Sequence, residues 1–300
     1  MRRDDMETKT VTVGGLNFAY RWDGPVGAPV AMMAHAMGTS LRIWDRQVAA
    51  LADRYRLLRY DWRGHGGSAA PPGPYSLEQF EDDAVGVMTA LDLPRVHWIG
   101  ISTGGMIGQG LGIHHPERIA SLSLCNTTSQ STDWYRVWVK ERQAVVREGG
   151  MVPVWDMTDK LWFTNAFADA ANADYHAVRD VFIKTPVPGY LGGTSAVADL
   201  DYLPDLDKIK APTRIIAAGD ACGADIAAVS TFVGLNSTAS VSAVAPYGVY
   251  GVATAETTAA ALKRGIVVSD VTTDRIVGGA YEWRDGAYAE RRRAVSDDGG

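Results

Sequence analysis

The sequence predicts an α/β fold: a mostly parallel sheet flanked by helices, with a helical cap inserted between two of its strands. Three observations point there. Short apolar runs of strand length alternate with helical patterns from residue 29 to residue 125. A stretch from residue 132 to residue 203 then loses strand alternation and crowds Trp134, Trp138, Trp155, Trp162, Phe163, Phe167 and Tyr190 into a helical pattern. A further apolar run, 211–219, returns to the sheet. The expected division is 1–130 for the first part of the core, 131–205 for the cap and 206–300 for the last part of the core with an atypical tail.

Each element has its own signal. Residues 9–22 alternate apolar and polar around Gly14-Gly15 and read as an opening hairpin. Residues 29–34 form a buried-strand run that ends in His35-Ala36-Met37-Gly38-Thr39-Ser40. An amphipathic helix is expected over 44–52 and the next strand over 55–60, ending in Asp61-Trp62-Arg63-Gly64-His65-Gly66. Ser76 and Gln79 have capping-box spacing, so a helix starts there and runs to about Leu91. A strand follows at 95–100, a helix at 106–114 and a buried strand at 119–124, closing at Cys125-Asn126-Thr127.

The chemistry centres on Gly100-Ile101-Ser102-Thr103-Gly104. A G-x-S-x-G turn between a strand and a helix is the nucleophile elbow of the α/β-hydrolase fold. The glycines flank a turn too tight for a Cβ. Ser102 is thus the candidate nucleophile. The loop after residue 34 is where such a fold builds its oxyanion hole, so the backbone N–H groups of Met37 and Thr103 are the expected donors. His35, His65, Asp61 and Arg63 read as residues that brace loops.

Composition narrows the partners. A net charge of −6 without a basic cluster argues against nucleic acid. Two cysteines, Cys125 and Cys222, give neither a disulfide framework nor a metal signature. No run approaches membrane-spanning length, and no apolar segment follows the charged start of the sequence, so a cytoplasmic protein without a membrane partner is expected. Composition and spacing say nothing of oligomeric state.

The motifs resemble those of 3-oxoadipate enol-lactonases. The resemblance rests on His35–Ser40, Tyr60–Gly66, Gly73-Pro74-Tyr75-Ser76-Leu77-Glu78, the elbow through Gln109, and His115-Pro116-Glu117-Arg118. In the cap it rests on Trp134, Glu141-Arg142, Gly150-Met151, Leu161-Trp162-Phe163-Thr164, Thr185-Pro186 and Gly189-Tyr190. It spans about residues 11–219. It implies a cofactor-free serine hydrolase that opens a small anionic enol-lactone to 3-oxoadipate in aromatic catabolism, with a histidine as base and an aspartate orienting it. A substrate carboxylate needs a partner, because burying it unpaired is costly. Arg142 and Trp134 are the candidates, Arg142 standing equally well as a solvent-facing cap residue.

The resemblance stops after Gly219. The family's acid falls at Cys222 here, with Asp220 and Asp225 on either side; Asp220 is the candidate acid. The six histidines are His35, His65, His97, His114, His115 and His176, and none follows the late strand, where the chain order of the fold puts the base. Three readings stay open: a frameshift or fusion near residue 222, a divergent protein that has lost the triad, or a base recruited from elsewhere, such as His176. Other ester or lactone hydrolysis and non-catalytic ligand binding are the competing functions. The tail suggests a short helix at 254–264 and a hairpin about Asp285-Gly286, and an ending without the last core strand would leave a sheet edge open.

Overall fold

A computed structural model describes residues 7–163, 173–217, 239–243, 280–284 and 287–291. Strands β1 (Lys9–Val13), β2 (Leu16–Asp23), β3 (Val30–Ala34), β4 (Arg56–Tyr60), β5 (Val96–Ile101), β6 (Ile119–Cys125), β7 (Thr213–Ala217) and β8 (Ala239–Ala243) form one sheet. Their order is β1-β2-β4-β3-β5-β6-β7-β8. β1, β2 and β4 pair antiparallel in turn, and every pair from β4 to β8 is parallel.

The period of two along the central strands builds two cores. On β3, Ala31 and Met33 join Leu57, Trp44 and Val48 on one face. Met32 and Ala34 point to the opposite face, with Leu58, Phe80, Val87, Ile107 and Leu111. Helices α2 (Leu77–Ala90) and α3 (Thr103–His114) cover that second face. Burial on both faces explains why the β3 run has no polar alternation.

Several boundaries differ from the sequence pattern for local reasons. The helix expected over 44–52 is a 3₁₀ turn, Leu41–Trp44, followed by α1, Asp45–Leu51. The Ser40 hydroxyl caps the turn by accepting from Arg42 N at 3.4 Å. α3 begins three residues before the expected Met106, because Gly105 N and Met106 N both donate to Ser102 O. Ser76 and Gln79 form both bonds of the capping box that starts α2. At the far side, β8 pairs in parallel with β7. β7 is thus an inner strand, and β8 ends the described sheet. β9 (Ala280–Arg284) and β10 (Ala287–Arg291) pair antiparallel; Asp285-Gly286, about which the hairpin is expected, lie outside the described residues. Phe167, the loop after Gly219 and the helix proposed for 254–264 lie outside the described residues.

Between β6 and β7 the chain runs through α4 (Asp133–Gly149), α5 (Met151–Asp156), α6 (Asp159–Trp162), α7 (Ala173–Ile183) and α8 (Val187–Ala198). These helices have a core of their own around Trp155, Trp162 and Phe182, with ring centroids 5.3–6.5 Å apart. Most aromatics that crowd this stretch are spent on that core.

α8 is the helix that joins the insert to the sheet domain. Gly189 lies on the backbone of Gly64, and a Cβ at Gly189 would overlap the Gly64 carbonyl. Replacing Gly189 with Ala must therefore push α8 off the core. The expected cost is about 1–3 kcal/mol, the range for overpacking. Urea unfolding of Gly189→Ala beside the parent should show a lower midpoint with an unchanged slope.

Candidate active site

Ser102 has φ 52° and ψ −116°, a backbone conformation that few non-glycine residues adopt. The surrounding contacts hold it there. A Cβ at Gly100 would overlap Gly104 O, and a Cβ at Gly104 would overlap Ala34 O. Ser102 N donates to Cys125 O at 2.9 Å, and the Thr127 hydroxyl donates to Ser102 O at 2.8 Å. The residue lies between the end of β5 and the first turn of α3, where helix N–H groups favour negative charge.

The loop after β3 lies beside this turn. No described residue accepts a hydrogen bond from Met37 N or Thr103 N. The next amide is committed: Gly38 N donates to His65 Nε2 at 2.9 Å. Nε2 is therefore the unprotonated nitrogen, and the proton sits on Nδ1, which faces Arg63 O at 3.3 Å. Burial pushes the His65 pKa well below its usual value, with His35 nearby acting in the same direction. His65 is thus a fixed neutral acceptor that sets the loop.

Asp61 ties the same loop from below. It accepts from Leu41 N at 2.6 Å and from Gly67 N at 2.8 Å. His35 is fully buried and stacks on Trp62 at 5.1 Å, and its Nδ1 bonds to Ala36 O at 2.8 Å. Burial lowers its pKa to about 3.

Ser102 opens into a cavity of about 110 Å³ between sheet domain and cap. Met37, Thr103, Met106, Asn126 and Thr127 line the sheet side; Trp134, Tyr135, Trp138, Arg142, Trp162, Phe182 and Tyr190 line the cap side. The structure thus brings Ser102, Met37, Thr103, Trp134 and Arg142 to one cavity. Trp134 is 59% exposed and forms part of the rim. Arg142 is 1% exposed, so the solvent-facing alternative is excluded. Its guanidinium lies 3.9 Å from the Trp138 ring centroid and has no carboxylate within salt-bridge distance among the described residues. Tyr135 and Tyr190 were not singled out as ligand contacts by the sequence, where cap aromatics all carry the same signal.

No histidine lines the cavity among the described residues. His97 bonds to Ser121 Oγ at 2.8 Å, and His114 to Glu81 Oε2 at 2.7 Å. His115 sits beyond the far end of α3, and His176 is exposed on α7. No described residue therefore supplies an imidazole base to Ser102, His176 included. Asp220 lies outside the described residues. No described cluster of His, Cys, Asp or Glu suits a metal ion, and no described helix is long and apolar enough to cross a membrane.

The fold and the elbow are those of an α/β-hydrolase, and residues 29–150 match the family model for the alpha/beta hydrolase fold. The chain is 31% identical to 3-oxoadipate enol-lactonase 2 of Acinetobacter baylyi over 208 residues, covering 69% of this chain and 77% of that one. A putative carbamate hydrolase RutD of Caulobacter segnis is 37% identical over 123 residues, covering 40% and 46% of the two chains. Among solved structures, the enol-lactonase of Burkholderia xenovorans superposes with a TM-score of 0.75 at 34% identity, covering 79% of this chain and 91% of that one. The chain belongs to the 3-oxoadipate enol-lactonase family of α/β-hydrolases. These relationships support a hydrolase of esters or lactones.

Asp61 gives the site a pH signature. Burial raises its pKa to about 6, against the opposing pull of the Gly67 and Leu41 amides and Arg59. Below the unfolded value near 3.8 both states hold the proton and Asp61 is neutral to stability. Between about pH 4 and 6 the unfolded chain releases its proton first, so stability falls as pH rises. By pH 7 the loss reaches about 3 kcal/mol at most. Urea titrations at several pH values should show this fall in the parent and a shallower one in Asp61→Asn. Equal slopes would mean that Asp61 stays ionised throughout.

Proposed function

We propose that this protein is a serine hydrolase that opens a small anionic enol-lactone, of the 3-oxoadipate enol-lactone type, to an open-chain 3-oxo diacid. The observation that carries the reading is the strained Ser102 facing a buried, unpaired Arg142 across one cavity. Ser102 Oγ attacks the lactone carbonyl. The N–H groups of Met37 and Thr103 receive the developing oxyanion, with His65 and Asp61 holding their loop in place. The ring C–O bond breaks and the enol oxygen leaves, taking up the proton that Ser102 Oγ has lost, and the enol so formed tautomerises to the ketone. Water then attacks the acyl-enzyme and restores Ser102. Arg142 supplies the counter-charge for the substrate carboxylate, and Trp134 closes the rim. The reaction needs no cofactor.

An enolate is a weaker base than a simple alkoxide, so departure of this leaving group asks less of a proton donor. That matters here, because no imidazole faces Ser102 among the described residues. Loss of a triad member leaves roughly 10³–10⁴-fold catalysis over water from the oxyanion hole and binding. Turnover at that level, far below a complete triad, is the expectation. Asp220 fits as acid only if a base stands between it and Ser102.

The missing imidazole also favours a second reading, a pseudo-hydrolase that binds the ligand without turnover. Enol-lactone hydrolysis, followed by ultraviolet absorbance, separates the two. A rate that Ser102→Ala removes supports hydrolysis. Equal background rates for both proteins, with ligand binding intact in calorimetry, support the binder.

A further inference from the structure

The cap wall of the cavity holds an arrangement more specific than a lone cation. Arg142 Nη1 donates to Thr158 Oγ1 at 2.6 Å and to Val154 O at 3.4 Å, and Nη2 donates to Met157 O at 2.7 Å. Nε is buried without an acceptor. The guanidinium is therefore fastened to the turn between α5 and α6 by neutral acceptors. These take up three N–H groups of its two terminal nitrogens and leave its charge uncompensated. Burying a charge in that state is costly unless an anion completes it. Yet the fork is too committed to grip a ligand carboxylate in the bidentate way arginine favours.

Two other donors stand on the same wall. Tyr135, from α4, makes no hydrogen bond through its hydroxyl to a described residue, and Tyr190, from α8, lies against Arg142. Burial raises the pKa of both phenols, so both remain neutral O–H donors at any physiological pH. Arg142, on the same cavity wall, acts on both in the opposite sense. No Asp or Glu lines the cavity among the described residues to compete for these donors.

We propose that Tyr135 and Tyr190 are the groups that hold the ligand carboxylate, with Arg142 acting behind them as a fixed counter-charge. The site so built takes a small carboxylate with a flat or apolar body against Trp138 and Phe182, and it needs no reaction at Ser102. The proposal rests on the reading that an anionic substrate occupies this cavity, and it adds which atoms read the charge.

Calorimetry with adipate, which has no bond to cleave, tests it. The parent and Ser102→Ala should bind adipate alike, and both should bind neutral dimethyl adipate much more weakly. Tyr135→Phe and Tyr190→Phe keep the rings, so packing is preserved. Each should weaken adipate binding about tenfold or more, the range for a hydrogen bond to a charged group. The affinity of the parent should stay flat from pH 6 to 9, because burial keeps both phenols protonated there. Arg142→Met should also lose adipate binding. Loss in Arg142→Met with both Phe variants unchanged would overturn the proposal and make Arg142 the direct ligand. Absence of adipate binding in a parent that still hydrolyses enol-lactone would overturn it while sparing the hydrolase. Phenol-dependent binding without any Ser102-dependent turnover would support it and refute only the hydrolytic reading.

Discussion

The constraint on which the rest depends is the backbone approach at the elbow. Gly100, Gly104 and Ala34 leave no room for a Cβ where β5 turns into α3. That crowding forces Ser102 into a left-handed conformation costing on the order of 1–3 kcal/mol. The cost is offset by three donors on one carbonyl: Gly105 N, Met106 N and the Thr127 hydroxyl all bond to Ser102 O. A short turn thereby fixes the start of α3, the ends of β3, β5 and β6, and the place where a reacting atom can sit.

The loop beside it is held by the opposite strategy, burial of polar groups. His65, Asp61 and His35 sit beneath residues 35–41, each at 3% exposure or less. Their hydrogen bonds take up the amides of Gly38 and Leu41 and the carbonyl of Ala36. Met37 N has no acceptor among the described residues. A histidine kept neutral by burial is useful here because it accepts from one fixed nitrogen at every working pH. The same burial removes both histidines from consideration as bases.

In the proposed reaction the cap supplies the counter-charge and the sheet domain supplies the nucleophile. The two meet through α8, whose Gly189 approaches Gly64 too closely for any relative sliding without loss of packing. Arg142 is a cation removed from water, bonded among the described residues only to neutral oxygens and stacked on Trp138. Such a group raises the affinity of the cavity for an anion whether or not Ser102 turns it over.

Much of this was legible from residue order. The parallel sheet follows from apolar runs alternating with helical patterns, the helix at Ser76 from its capping box, the candidates Ser102 and Thr103 from a glycine-flanked turn between strand and helix, and the candidate Met37 from the loop after the first buried-strand run. These are local properties, decided by sterics and hydrogen bonding within a few residues. Absence of a histidine after His176 is likewise a fact of the sequence alone. The tertiary structure decided what depends on distant partners. It turned Arg142 from an open choice between surface and site into a buried cation. It separated Tyr135 and Tyr190 from the other cap aromatics by putting two phenols 55 positions apart on one wall beside it. It paired β7 in parallel with β8, from the stretch where the resemblance had stopped. Each of these is a long-range contact, and periodicity carries no information about which long-range contact a side chain makes.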